Sequence, residues 1–193
     1  MKNINKAILA LISLFVISNT LIAASDEMKF FPIFTDENWK AKVEVAAVSG
    51  HMDFQGKGVD SGAISGIELS FECPVFTIPG ENTIRQQLEL SQYDKNGLRI
   101  TTIEMNPYYH INLSDNLVWG FGPGIGAMNA DADGNKDQWL FTVQAGTGLK
   151  YYMGDIILGA DIRYQWTAEK DIGSGSKQDL DNTRFLVKVG YRF

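Results

Sequence analysis

Few residues in this chain are suited to acid–base or nucleophilic chemistry. It holds two histidines, His51 and His110, and one cysteine, Cys73. A serine-hydrolase triad needs nucleophile, base and orienting acid within hydrogen-bond reach of one another. Two residues beyond His110 stands Asn112, and Ser114 falls in a turn, so this spacing supplies no nucleophile. His51 falls in an expected loop. The chain is therefore expected not to be an enzyme, with His110 a polar residue facing an interior. A single cysteine allows neither an internal disulfide nor a Cys-cluster metal site. Asp131, Asp133, Asn135 and Asp137 alternate within DADGNKD, like the start of a calcium loop. The glycine comes too early and no Glu stands at the twelfth position. These four are weak metal candidates in a solvated acidic loop, and no cofactor is expected.

The other ionisable residues acquire meaning only from the elements that carry them. In the closing segment RFLVKVGYRF, Phe185, Val187, Val189, Tyr191 and Phe193 share one parity, and Arg184, Leu186, Lys188, Gly190 and Arg192 share the other. A strand sends successive side chains to opposite faces, so one face is greasy and the other mostly cationic. At the opposite end, Lys2 and Lys6 precede the apolar run from Ala7 to Val16, and small residues follow at Ala23, Ala24 and Ser25. That order is an export signal. The expected division is a signal peptide over 1–24, a periplasmic extension over 25–38 and a barrel over 39–193. Without Lys2 and Lys6, 15 basic residues face 23 acidic ones, a charge of −8. An acidic protein has no general attraction for nucleic acid, and none is expected as a partner.

Alternating stretches recur near 39–49, 62–72, 82–93, 98–113, 117–128, 138–153, 156–167 and 183–193. Eight antiparallel strands bring both ends of a closed barrel to one side. The tight breaks Ser114-Asp115-Asn116 and Gly154-Asp155 contrast with long Gly- and Asp-rich ones at 50–61, 129–137 and 168–182, as short periplasmic turns contrast with surface loops. A hairpin about Asp115 sets Leu113 opposite Leu117, Ile111 opposite Trp119, Tyr109 opposite Phe121 and Pro107 opposite Pro123. That face is continuous grease with aromatics, as lipid demands. The two prolines each remove a ladder donor there.

The opposite parity is an interior. It carries Lys40, Lys42, Arg85, Lys150, Arg163, Arg184, Lys188 and Arg192 against Glu44, Glu68, Glu72, Glu89, Glu104 and Asp161. An eight-stranded cylinder is about wide enough for side chains to fill it, and charges so confined must satisfy one another. Gly120, Gly122, Gly124, Gly126, Gly146 and Gly148 also point inward. They either make room for long side chains or leave a cavity.

With the export signal, the MNPYYHINLSDNLVWGFGPGIGA hairpin and the terminal VKVGYRF, the chain resembles the small eight-stranded outer-membrane β-barrel family of Gram-negative bacteria, porin-like and of the OmpA/OmpX plan. The resemblance covers nearly all of the mature chain. It implies an all-β, antiparallel up-and-down transmembrane barrel in the outer membrane, in contact with lipid and lipopolysaccharide. It also implies delivery to the barrel-assembly machinery through the strand ending at Phe193, and a monomer. Some members of that family deacylate lipid A with a lipid-facing His/Ser pair, which His110 and Asn112 do not match. The expected role is anchoring or interaction through surface loops. A narrow solute channel is the alternative, and a lipid-A-modifying enzyme a distant one.

Overall fold

Strict alternation of small or polar residues with large apolar ones extends most of this chain, because each strand then meets lipid on one face and a filled interior on the other. The computed structural model describes residues 28–55, 59–78, 80, 82–132, 137–171 and 177–193. The expected signal peptide lies outside the described residues. Eight strands form the barrel: β1 (Glu44–Phe54), β2 (Gly62–Glu72), β3 (Thr83–Lys95), β4 (Leu98–Asn112), β5 (Leu117–Ala132), β6 (Gln138–Met153), β7 (Ile156–Thr167) and β8 (Asn182–Arg192). Each pairs antiparallel with its chain neighbour, and β8 closes on β1. The fold is the expected one, and closure excludes a sandwich of two open sheets.

The register fixes the barrel's shape. From Leu158 the rungs run to Val189, Ala47, Ile67, Leu90, Ile103, Ala127 and Phe141. Phe141 O accepts from Ala168 N at 3.1 Å, so one circuit returns to the chain ten residues beyond Leu158. A shear of that size tilts the strands, typically by roughly 35–45° in closed barrels.

Outward residues are large and apolar, among them Ile67, Ile103, Phe141 and Val187, all exposed. Val189 points outward and Lys188 inward, where it is buried. Such a girdle is costly against water and favourable against hydrocarbon.

Three boundaries differ from expectation by more than two residues. β1 begins at Glu44, because Lys42 takes a left-handed backbone conformation (φ +43°) that interrupts an extended chain. β1 runs on to Phe54 and β5 to Ala132, so the breaks expected at 50–61 and 129–137 shrink to 55–61 and 133–137. Met52, Phe54, Met128 and Ala130 are inward and buried, and their packing holds those strand ends. Pairing of β4 with β5 stops after Met105–Ile125 and resumes at Tyr109–Phe121 in the same register. Pro107 therefore faces Pro123 without a bulge. Leu113 N donates to Leu117 O at 2.8 Å, which makes the odd-numbered pairs the hydrogen-bonding rungs. The two prolines thus delete both bonds of one rung and leave the neighbouring rungs intact.

Candidate functional site

Ten ionisable side chains from seven strands meet in the lumen. Glu44, Glu68, Glu89, Glu104 and Asp161 are buried there with Arg85, Lys150, Arg163, Arg184 and Lys188. Five acids and five bases cancel. Arg163 is the hub: Nη1 donates to Glu89 at 2.6 Å and to Glu104 at 3.2 Å. Its Nη2 donates to Asp161 at 2.9 Å, Gln87 at 3.1 Å and Glu68 at 3.2 Å. Arg184 donates to Glu104, and its Nη1 stands 3.9 Å from Glu89. Lys188 donates to Glu68 and lies 2.5 Å from Asp161. Lys150 reaches Glu44 at 2.8 Å, where Arg85 (3.3 Å) and the Tyr152 hydroxyl (2.9 Å) also converge. Charge in such a medium is tolerated only when each member is paired and hydrogen-bonded.

β5 supplies no charge to this layer. Its inward glycines are close-approach positions for neighbouring side chains and, at Gly122 and Gly126, for the backbone of β4. A Cβ on Gly120 would lie 2.9 Å from the His110 ring, one on Gly122 would meet Tyr108 Cα at 3.0 Å, and one on Gly124 would strike Asn106 and Gln144. Gly146 gives way to Arg163 and the Tyr108 hydroxyl, and Gly148 to Asp161. Of the two sequence alternatives, the glycines make room, chiefly for side chains of the adjacent strands. Tyr108 and the Arg163 guanidinium also stack, 5.7 Å from ring centre to Cζ.

Above the charged layer the interior becomes apolar. Val48, Met52, Phe54, Ile64, Tyr93, Ile100, Met128, Leu140 and Leu186 pack together at the loop-bearing end. Leu180, from the connection before β8, closes over them and is buried. It is pinned by Leu180 N to Thr167 Oγ1 (2.7 Å) and by Thr167 N to the Asp181 carboxylate (2.7 Å). Burial raises the Asp181 carboxyl above the usual carboxylate range. Leu180→Ala is expected to cost about 2–3 kcal/mol by opening a void under this closure. Urea unfolding in detergent micelles, followed by tryptophan fluorescence, measures that loss.

Four expected lumen charges stay outside the layer. Lys40 and Lys42 precede β1, and both are exposed. Lys42 pairs with Glu72 at 2.6 Å at the mouth, since its left-handed backbone turns it off the inward parity. Arg192 also sits at that rim, donating to Gly154 O at 3.1 Å and lying over the Tyr152 ring at 5.0 Å. His110 faces inward and is buried. His51, expected in a loop, lies on β1 and points outward. Asp131 lies in β5 and Asp137 just before β6; Asp133 and Asn135 lie outside the described residues. Among the described residues no group of three or more His, Cys, Asp or Glu is placed to hold a metal. The apolar layer and the polar partners Ser70, Gln87, Tyr152 and Gln165 were not singled out from sequence, although all share the inward parity.

A family model described as Outer membrane protein beta-barrel domain matches residues 34–193. No curated protein sequence matches. Among solved structures, the N-terminal β-barrel domain of Pseudomonas aeruginosa OprF is similar at 16% identity, covering 79% of this chain and 98% of that one (TM-score 0.57). Neisserial surface protein A is similar at 15% identity, covering 79% and 98% (TM-score 0.56). The outer membrane enzyme PagL is similar at 17% identity, covering 78% and 99% (TM-score 0.51). At these identities the likeness is one of fold. A closed eight-stranded cylinder, greasy outside and ionic within, together with the family match over most of its length, makes this chain a member of the outer-membrane β-barrel domain family and a protein of the bacterial outer membrane.

Proposed function

We propose that the protein is a closed, non-enzymatic barrel that anchors its surface connections, 55–61, 133–137 and 168–181, for contact with what lies outside the cell. The observation that carries this is the cancelling set of five acids and five bases, roofed by apolar side chains. An aqueous path would have to strip partners from buried ions, at several kcal/mol for each one left unpaired. The channel alternative drew on the inward glycines, and neighbouring side chains lie against these. A lipid-modifying activity has no support from His110, which faces the interior beside Gly120 and away from lipid. The same reading includes export by a signal over 1–24, the extension over 25–38 leading into the barrel over 39–193, and a monomer in contact with lipid and lipopolysaccharide. Delivery would use the barrel-assembly machinery, through the aromatic outward face of β8 and Phe193.

Planar-bilayer recordings of the refolded protein test it. No discrete conductance is expected, and lipid A from cells making the protein should keep its mass spectrum. Stepwise currents would replace this proposal with the channel; a changed acyl pattern would replace it with an enzyme.

A further inference from the structure

The end of the barrel opposite the long connections carries an apolar surface that the strands themselves do not explain. Phe30, Phe31, Ile33 and Phe34 are 63%, 54%, 45% and 83% exposed, and Val75 beside them is also exposed. These side chains are held together. Lys29–Phe30 pairs antiparallel with Phe76–Thr77, in the turn between β2 and β3, and Phe31 N donates to Val75 O at 2.5 Å. A single helical turn, Pro32–Thr35, follows. Thr35 Oγ1 donates to Phe30 O and Phe31 O, both at 3.1 Å, and Lys29 pairs with Asp36 at 2.8 Å across the turn. Phe31 sits at φ +51°, a conformation a bulky residue takes only under constraint.

The place of this knot names its occupant. The turn it is pinned to begins directly after β2, whose outward Ile67, Leu69 and Phe71 lead down to it, and returns into β3 at outward Ile84. The aromatic patch thus sits on the connection into which the outward apolar rows of β2 and β3 run. Charged Asp36, Glu37, Lys40 and Lys42 follow at once, as polar residues flank an interfacial segment. We infer that Phe30, Phe31, Ile33 and Phe34 insert into the phospholipid of the periplasmic leaflet as a foot beside the barrel. The inference rests on the barrel orientation proposed above, with the short turns in the periplasm.

Nitroxide labels at Phe34→Cys and, separately, at Val187→Cys, in a Cys73→Ala background, test it in proteoliposomes of phosphatidylethanolamine and phosphatidylglycerol. Position 187 lies on the barrel wall and reports whether the protein is inserted. At position 34 collision with oxygen is expected to exceed collision with a water-soluble nickel chelate, by a ratio like that at 187. A label at 34 that favours the nickel chelate, with 187 in lipid, overturns the foot and leaves the barrel reading standing. Spin–spin broadening at 34 overturns it in favour of a second copy of the chain. A water-exposed label at 187 overturns the barrel reading itself.

Discussion

Arg163→Met is expected to lose about 3–5 kcal/mol of folding stability, the cost of leaving buried charge without its partner. Arg163 touches four acids, and Glu89 depends on it most, because its other cation, Arg184, stands 3.9 Å away. The variant leaves five acids facing four bases in a space that admits little water. The double variant Arg163→Met, Glu89→Gln restores neutrality. It should regain about 0.5–3 kcal/mol relative to additivity, the range for residues in direct contact. Urea midpoints in micelles measure both. An Arg163→Met barrel that unfolds at the parent's urea concentration would show that the ions do not hold the lumen together.

Gly50→Val is the second large effect. Gly50 faces Leu186 across the seam where β1 closes on β8. A Cβ there would overlap Phe185 O and lie 2.9 Å from Leu186 Cα. Both are backbone atoms, so no rotamer change relieves the clash and the closing strands must part. Overpacking alone costs about 1–3 kcal/mol, and parted strands in lipid also leave ladder groups unpaired. The expected result is a sharp fall in the fraction that migrates as compact, unboiled barrel on electrophoresis. Gly159→Ala is the control. Its nearest contacts would be Leu149 O and Lys188 Cβ at 3.4 Å, and it should stay within about 0.5 kcal/mol of the parent. If Gly159→Ala proved as damaging as Gly50→Val, loss of glycine itself would be the cause and the close approach at the seam would not.

Much of the barrel was legible because the side-chain period of a strand is two. Parity alone put Lys188 inside and Val189 outside, and the tight hairpin about Asp115 set Ile111 opposite Trp119. Boundaries were less legible where a residue type pointed the wrong way. Gly50 reads as a break and is a close approach within β1. Lys42 reads as the next inward lysine, and a single left-handed backbone angle removes it. The connection after β2 carries Phe76–Thr77, with which Lys29–Phe30 pairs, and no alternation marks two such short segments in the sequence.

By itself the sequence determined the architecture, the sign of each face and the set of charges from which the lumen is built, since these follow from local alternation. Which acid meets which base was decided by the tertiary structure. Arg163 and Glu68 are 95 residues apart, and only the shear of the closed barrel brings them to the same height. The apolar roof is tertiary for the same reason. Leu180 belongs to no strand, and its burial depends on the space left by side chains from strands throughout the chain.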